Sequence, residues 1–252
     1  MIKRVLRYTL YLLVLVIALV LIRQNWWKAQ DYWYYFSAPL IRHVLVDPLS
    51  ADHTTEWEYY LHIPRGYTAD RVWPVFVYVH GTDGSGRDAL FIWRPLADQE
   101  RFFLLTPTFP DWTFTHLQGG EDKILWAMID QVAETYNVER TRIFIAGFSG
   151  GAQFAHRFAF KYPKNVSGVS ALSAGSYDPP PNHARSVPFA VSVGQNDTER
   201  TEPALWFARE LKKNGNPVWY KTFPDVGHQI CDDAVDLTLE LFRQTAKKGN
   251  GL

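Results

Sequence analysis

Ser149 is the residue of this chain whose surroundings point most directly to chemistry. It lies in the sequence GFSGG (residues 147–151), which follows an apolar run and precedes a helical stretch over residues 153–160. A tight turn from strand to helix holds such a serine in strained backbone geometry, and the glycines let neighbouring elements approach. The pattern predicts a nucleophile elbow, with the Ser149 hydroxyl above a sheet edge and the Gly150 amide beside it.

A serine hydroxyl is a weak nucleophile at neutral pH and needs a base, usually a histidine held by a carboxylate. Asp197 follows a strand predicted at residues 189–193, and His228 follows one predicted at residues 218–223. Both therefore lie at the carboxyl ends of strands, where open α/β sheets build their sites. In isolation Asp197 could form a turn or cap a helix, and His228 could be a loop histidine. Their joint placement favours a triad with Ser149.

Three other carboxylates compete for the role of the acid. Asp225 is close to His228 in sequence, but a residue three positions before the histidine is poorly placed to reach its ring. Asp178 and Asp232 are weaker alternatives. No group of His, Cys and acidic residues has the spacing of metal ligands, and no glycine-rich loop continues into a phosphate-binding Lys-Ser/Thr. We therefore expect neither a metal nor a cofactor.

The elements that must position these residues alternate between strand and helix. Strands are predicted at residues 56–63, 75–79, 102–106, 142–146, 166–172, 189–193 and 218–223. Helices are predicted at residues 87–97, 121–136, 153–160, 204–213 and 232–247. This alternation predicts an α/β fold with a mostly parallel sheet and helices on both faces.

With these motifs in place, the chain from about residue 55 to 246 resembles an α/β-hydrolase. The stretches VYVHGTDGSG and RIFIAGFSGGAQFAHRFA and the Gly-His before the last helix resemble the polyhydroxybutyrate depolymerase and feruloyl esterase branch. The triad of this fold runs serine, acid, histidine along the chain, the order of Ser149, Asp197 and His228. The resemblance implies a serine hydrolase that cleaves carboxylic esters through an acyl-enzyme. A peptidase, an acyltransferase and a non-catalytic membrane-anchored scaffold remain as alternatives.

Acyl transfer also needs amides that stabilise the developing negative charge on the carbonyl oxygen. Gly150 offers one of them. The resemblance implies that the amide of Thr82 is the second, or that of Asp83 if the register differs by one residue. His80, in the same loop, is expected to be structural.

One departure from the family concerns access to the site. Residues 173–188 form the whole connection that normally carries a covering helix, and the three prolines at 179–181 leave little room for one. We therefore expect a reduced cap. The aromatic loop 107–120 is the alternative wall, and Trp112 and Phe114 are the candidate contacts to the substrate, a small-molecule or polymer-end ester. His116 in this loop could also contact it, although an ordinary surface position is favoured.

The composition excludes several classes of function. The 252 residues carry 26 Lys and Arg against 26 Asp and Glu, so no large field attracts nucleic acid or an acidic polymer. With 47% apolar and 15% aromatic residues, the chain can bury the core of one α/β domain plus a tail. Cys231 is the single cysteine, which excludes an intramolecular disulfide. The oligomeric state is left open.

The N-terminus has the pattern of a membrane or export segment. Lys3, Arg4 and Arg7 precede an apolar run over residues 8–22, and a helix from Val5 would be about 27 Å long, close to a bilayer core. The run is not followed by a small-x-small cleavage site, which favours an uncleaved signal anchor over a cleaved signal peptide and secretion. The basic residues place the N-terminus in the cytoplasm and the rest outside, in the periplasm if the source is bacterial.

These patterns divide the chain into three parts. Residues 1–25 are the cytoplasmic stub and the transmembrane signal anchor, residues 26–54 are an aromatic-rich juxtamembrane segment, and residues 55–252 are the catalytic domain. The aromatic segment could form a belt at the membrane interface or an arm packed on the domain.

Overall fold

The computed structural model describes residues 42–46 and 56–245. The predicted signal anchor, residues 1–25, and most of the juxtamembrane segment lie outside these ranges. Within them, no helix has both the length and the apolar character that a membrane span requires.

In the described residues, eight strands form one sheet in the order β1-β2-β4-β3-β5-β6-β7-β8. Strand β1 pairs antiparallel with β2, which pairs antiparallel with β4, and all pairings from β4 across to β8 are parallel. The bounds are β1 Arg42–Val46, β2 Glu56–His62, β3 Val75–Val79, β4 Phe103–Pro107, β5 Ile143–Phe148, β6 Val166–Leu172, β7 Phe189–Gly194 and β8 Val218–Phe223. The central strand β3 is the apolar run VFVYV and is buried throughout, as a strand covered on both faces must be.

Five α-helices of the described part of the chain cover the two faces of the sheet. Their bounds are α1 Gly86–Glu100, α2 Glu121–Thr135, α3 Gly150–Lys161, α4 Thr198–Asn214 and α5 Asp232–Thr245. The apolar residues of α1 and α5 share one core with Phe76 and Phe144 of the sheet. Those of α2, α3 and α4 share the other core with Val77 and Ile145. Because neighbouring strand residues point to opposite faces, one sheet supplies both cores.

Three elements differ from their sequence-based prediction. Strand β1 was not predicted, and it pairs along its whole length with β2, so the sheet begins before residue 55. Pro95 was expected to disturb the helix predicted at residues 87–97, but α1 continues through it to Glu100, and α4 begins at Thr198 and contains Pro203. A proline removes one backbone hydrogen bond from a helix, but the turns on either side can continue. The earlier start of α4 makes Asp197 its N-cap residue.

The two loops beside the carboxyl edge of the sheet contain only short helical turns. The connection 173–188 holds the 3-10 helix Asn182–Ala184, and the loop 108–120 holds the 3-10 helix Trp112–His116. Neither connection has an α-helix, in agreement with the expected reduced cap. The described residues therefore have the α/β-hydrolase architecture, and the two loops beside the carboxyl edge of the sheet carry no covering helix.

Candidate active site

Ser149 occupies the turn between β5 and α3 in a strained conformation, with φ 54° and ψ −115°. Its N–H donates to the carbonyl of Leu172 at the end of β6 at 2.8 Å. The flanking glycines are required by close backbone contacts. A Cβ on Gly147 would lie 2.2 Å from the oxygen of Gly151, and a Cβ on Gly151 would lie 2.0 Å from the oxygen of Val79. The turn predicted from the sequence is therefore present, and only glycine fits at these positions.

The structure brings the three predicted triad residues together. Nε2 of His228 lies 3.1 Å from Oγ of Ser149, and Nδ1 of His228 lies 2.7 Å from Oδ2 of Asp197. An ionised carboxylate only accepts hydrogen bonds, so Nδ1 carries the proton and Nε2 is free to accept from the hydroxyl. Asp225, the first rival acid, is exposed and precedes this histidine in a left-handed turn with φ 58°.

Contacts between two loops set the separation of Asp197 and His228. The N–H of Asn196 donates to the carbonyl of Val226 at 2.8 Å, which joins the loop after β7 to the loop after β8. A Cβ on Gly194 would lie 2.2 Å from the same carbonyl oxygen, so the close approach depends on glycine. The imidazole also stacks on Phe148, with 4.6 Å between ring centroids. The ring is thereby held on its face as well as at both nitrogens.

Asp197 occupies the N-cap position of α4, but its side chain forms no cap hydrogen bond. An N-cap aspartate ordinarily accepts from an amide in the first turn of its own helix. Here the carboxylate, 3% exposed, accepts instead from His228 and from Nη1 of Arg200 at 3.0 Å. The site therefore uses a group that would normally stabilise the helix.

Thr82 and Gly150 lie next to each other beside the nucleophile. A Cβ on Gly150 would be 3.1 Å from the backbone nitrogen of Thr82 and 2.6 Å from its Oγ1. Gly150 is the first residue of α3, and amides in the first turn have no acceptor within the helix. The two predicted oxyanion residues are therefore adjacent. Asp83, the alternative donor, lies in the left-handed turn that follows, with φ 64°.

His80 has the structural role expected from the sequence. It is 3% exposed, its Nε2 accepts from the amide of Phe109 at 2.9 Å, and its Nδ1 lies 2.6 Å from the carbonyl of Gly81. Because Nε2 is an acceptor, Nδ1 carries the proton and donates. Burial lowers the pKa of His80, which keeps the ring neutral. The ring thus joins the loop after β3 to the loop after β4.

The two aromatic residues predicted to contact the substrate have opposite environments. Trp112 is 62% exposed and meets the ring of His116 edge-on at 6.1 Å. Phe114 is 1% exposed and packs against His80 and Phe109 in the core beneath the loop. This burial argues against the expected contact between Phe114 and a substrate, because its ring has almost no surface to offer.

Sequence reasoning missed Arg157, which joins α3 to both loops beside the site. Its side chain is 9% exposed, and Nη1 donates to the carbonyl of Thr115 at 2.5 Å. Nε and Nη2 donate to the carboxylate of Asp178 at 2.9 and 2.8 Å. The neighbouring His156 is fully buried and accepts from the amide of Asp178 through Nε2 at 3.1 Å. The sequence signal was the polar pair His-Arg between the apolar residues Ala155 and Phe158.

A cavity of about 560 Å³ lies beside the second half of α3. Its charged lining residues are paired within the protein, Arg157 with Asp178 at 2.8 Å and Lys161 with Asp122 at 2.6 Å. These charged groups at the cavity therefore already have partners within the protein. Within the described residues, no group of three His, Cys, Asp or Glu side chains could hold a metal ion.

Comparison with known proteins agrees with the hydrolase-like geometry of this site. No family model matches the chain. It is 25% identical over 223 residues to a probable acetylxylan esterase A from Aspergillus terreus, an alignment covering 80% of this chain and 69% of that one. It is 24% identical over 159 residues to poly(3-hydroxyalkanoate) depolymerase C from Paucimonas lemoignei, covering 58% of this chain and 36% of the relative. The chain thus spans about a third of the depolymerase.

Among solved structures, a ferulic acid esterase from Anaeromyces mucronatus in complex with ferulic acid superposes with a TM-score of 0.66. The two are 14% identical, and the superposition covers 82% of this chain and 90% of the esterase. At this identity the likeness supports the fold. Together the comparisons confirm the resemblance and the enzyme class indicated by the motifs: the chain is an enzyme of α/β-hydrolase fold, similar to carboxylic ester hydrolases.

Proposed function

We propose that this chain is a serine hydrolase that cleaves carboxylic esters through an acyl-enzyme. The observation that carries the proposal is the continuous relay from Ser149 Oγ to His228 Nε2 at 3.1 Å and from His228 Nδ1 to Asp197 Oδ2 at 2.7 Å. The relay lies at the turn where Ser149 is strained, and strain of this kind is concentrated at functional sites.

Each group then has one task in the reaction. Oγ of Ser149 attacks the ester carbonyl while Nε2 of His228 takes its proton, and Asp197 stabilises the imidazolium. The amides of Thr82 and Gly150 bind the oxyanion of the tetrahedral intermediate. Nε2 returns the proton to the departing alkoxide, which leaves Ser149 acylated. Water, activated by the same nitrogen, then releases the acid.

The substrate we propose is a small-molecule or polymer-end ester. The relatives named above act on acetylxylan and on poly(3-hydroxyalkanoate), and the structural neighbour holds ferulic acid, so esters presented by a polymer are the common theme. The exposed ring of Trp112 could contact an apolar acyl or aryl group at the edge of the site.

One experiment separates this proposal from its rivals. Labelling with a fluorophosphonate, with Ser149→Ala as the control, asks whether Ser149 is an activated nucleophile. A panel of acetyl, feruloyl and hydroxybutyryl esters, thioesters and peptides then ranks the reaction classes, and added alcohols test for acyl transfer. Absence of labelling would favour the non-catalytic scaffold, and preference for peptides would favour a peptidase.

We further propose that residues 1–25 anchor the enzyme with its catalytic domain outside the cytoplasmic membrane. The support is the sequence pattern alone, with Lys3, Arg4 and Arg7 before the apolar run. Membrane fractions should then hold the full-length protein, with its domain open to protease added from outside. A soluble form beginning after residue 22 would instead indicate a cleaved signal peptide and secretion.

A further inference from the structure

Arg200 lies in the first turn of α4 with its side chain on the acid of the proposed triad. Its Nη1 is 3.0 Å from Oδ1 of Asp197, while Oδ2 of the same carboxylate is 2.7 Å from Nδ1 of His228. The (i, i+3) spacing along the helix brings the arginine over the aspartate. The two oxygens of this buried carboxylate therefore bind different partners, His228 and Arg200.

The carboxylate has little else to orient it. Asp197 forms no cap bond with its own helix, its side chain is 3% exposed, and within the described residues its oxygens are bonded to His228 and Arg200. A carboxylate bonded through one oxygen can still turn about its Cβ–Cγ bond. A second bond through the other oxygen fixes the plane, and with it the direction of the bond to His228.

Arg200 makes this contact at the expense of its own hydrogen bonding. Its side chain is 24% exposed, and its Nε is buried without a hydrogen-bond partner in the described part of the chain. An unpaired buried N–H is destabilising, so the contact with Asp197 must compensate for it. Glu199 also lies 3.4 Å from Nη1, but it is 84% exposed and solvent screens its charge.

We propose that Arg200 is a positioning residue that orients Asp197 and extends activity to lower pH. The proposal rests on the triad proposed above. The guanidinium offsets part of the negative charge of the Asp197 carboxylate, and its removal would expose His228 to the whole of that charge.

The pH dependence depends on the charged and titratable groups around the imidazole of His228. Asp197 and Arg200 face it from the β7–α4 junction, and Phe148 covers one side of the ring. Tyr177, in the connection 173–188, is 9% exposed, and burial together with the charge of Asp197 raises the pKa of its phenol, so it stays neutral. Asp225, on the same loop as His228, is exposed. Arg200 is the cation among these groups.

The test is the pH profile of kcat/KM on a short-chain p-nitrophenyl ester for full-length Arg200→Gln, Arg200→Lys and the matched control Arg209→Gln. Arg209 is an exposed arginine on the same helix. We expect Arg200→Gln to lower kcat by about tenfold, the smaller effect of groups that orient a functional side chain from behind. Its acid limb should move to higher pH by about one unit, the size expected for loss of a nearby charge. The acid limb of Arg200→Lys should lie closer to that of wild type than the limb of Arg200→Gln does. The profile of Arg209→Gln should match wild type.

Two results would overturn the proposal: an acid limb in Arg200→Gln that overlies the wild-type limb, or an Arg200→Lys profile equal to that of Arg200→Gln. If Arg200→Gln folds poorly, the rate of fluorophosphonate labelling across the same pH range, normalised to the protein that becomes labelled, gives the profile of the folded fraction. Wild-type protein that is not labelled would refute the proposed function and this inference with it. Labelled wild type with unchanged Arg200 profiles would refute this inference alone.

Discussion

Asp197 bonds to Nδ1 of His228 at 2.7 Å from the N-cap position of α4, where its side chain forms no capping hydrogen bond. The carboxylate could either cap the N-terminus of α4 or orient the imidazole of His228. In this structure it is bonded to the imidazole. An N-cap side chain typically stabilises its helix by about 1 kcal/mol. That stabilisation is given up here, which is typical of a functional position.

The first prediction follows from this bond. Ser149→Ala should lower kcat on the order of 10⁴-fold or more and abolish fluorophosphonate labelling while leaving the melting temperature near that of wild type. Asp197→Asn should lose about 10⁴-fold, because the amide favours the wrong tautomer of His228. Asp225→Asn is the matched control, and equal losses in the two Asn variants would remove Asp197 from the triad.

The second prediction concerns the glycines of the turn. Gly151→Ala places a methyl carbon 2.0 Å from the carbonyl oxygen of Val79, so α3 must move away from β3. We expect the free energy of unfolding to fall by about 1–3 kcal/mol and activity to fall with it, since Ser149 moves with the helix. Urea unfolding and kcat measure the two effects. Gly175→Ala is the control, because the nearest atom to its Cβ is the flexible end of Gln153 at 3.5 Å.

The strands around the site were predictable because their signal is local. Val75–Val79, Val166–Leu172 and Val218–Phe223 have the bounds expected from the sequence, each an extended run closed by a turn. The proximity of Ser149, Asp197 and His228 was predictable because each follows such a strand. Parallel strands place their carboxyl ends at one edge, so local patterns were enough to infer their proximity.

The remaining features depend on contacts that no local pattern encodes. Arg42–Val46 is a short strand recognised only by its pairing with β2. The helix α4 was predicted to begin at residue 204 but begins at Thr198, so the helical (i, i+3) pair of Asp197 and Arg200 was not recognised. The inward orientation of Phe114 is set by the rings of its neighbours, and an aromatic residue in a loop has the same sequence signature whether it points in or out.

The third prediction is a loss of stability in acid that comes from His156. Burial, assisted by the charge of Arg157, holds the pKa of His156 far below its ordinary 6.5. The ring stays neutral in the folded protein, while in the unfolded chain it binds a proton below about pH 6.5. Unfolding is therefore favoured as pH falls, by about 1.4 kcal/mol for each unit below that value.

Urea unfolding of wild type and His156→Gln at pH 7 and pH 5 measures this effect. The glutamine can keep both a donor and an acceptor, and the variant should lose less stability between the two pH values than wild type, even if it is less stable at pH 7. His116→Gln, on an exposed loop, should keep the wild-type dependence. Identical dependence in all three proteins would show that other groups cause the acid sensitivity.

The last prediction concerns access to the site. A covering helix of three turns needs about eleven residues before any hinge is counted. The connection 173–188 contains three consecutive prolines and only the 3-10 helix Asn182–Ala184. The loop 108–120 contains only the 3-10 helix Trp112–His116. Arg157, 9% exposed, bonds to Thr115 and Asp178 and so holds both loops on α3. Opening either loop would break charge-assisted bonds in a largely buried site, which is costly.

We therefore expect an open site without activation at lipid interfaces. The rate on a short-chain ester, measured against substrate concentration, should rise smoothly through the solubility limit. Arg157→Ala should loosen both loops and raise KM more than it lowers kcat, because it touches the walls of the site and none of the reacting atoms. Lys164→Ala, at an exposed position just beyond the end of α3, is the matched control. A sharp increase in rate where the substrate forms droplets would mean that one of these loops does move as a lid, and that the contacts of Arg157 do not hold it in place.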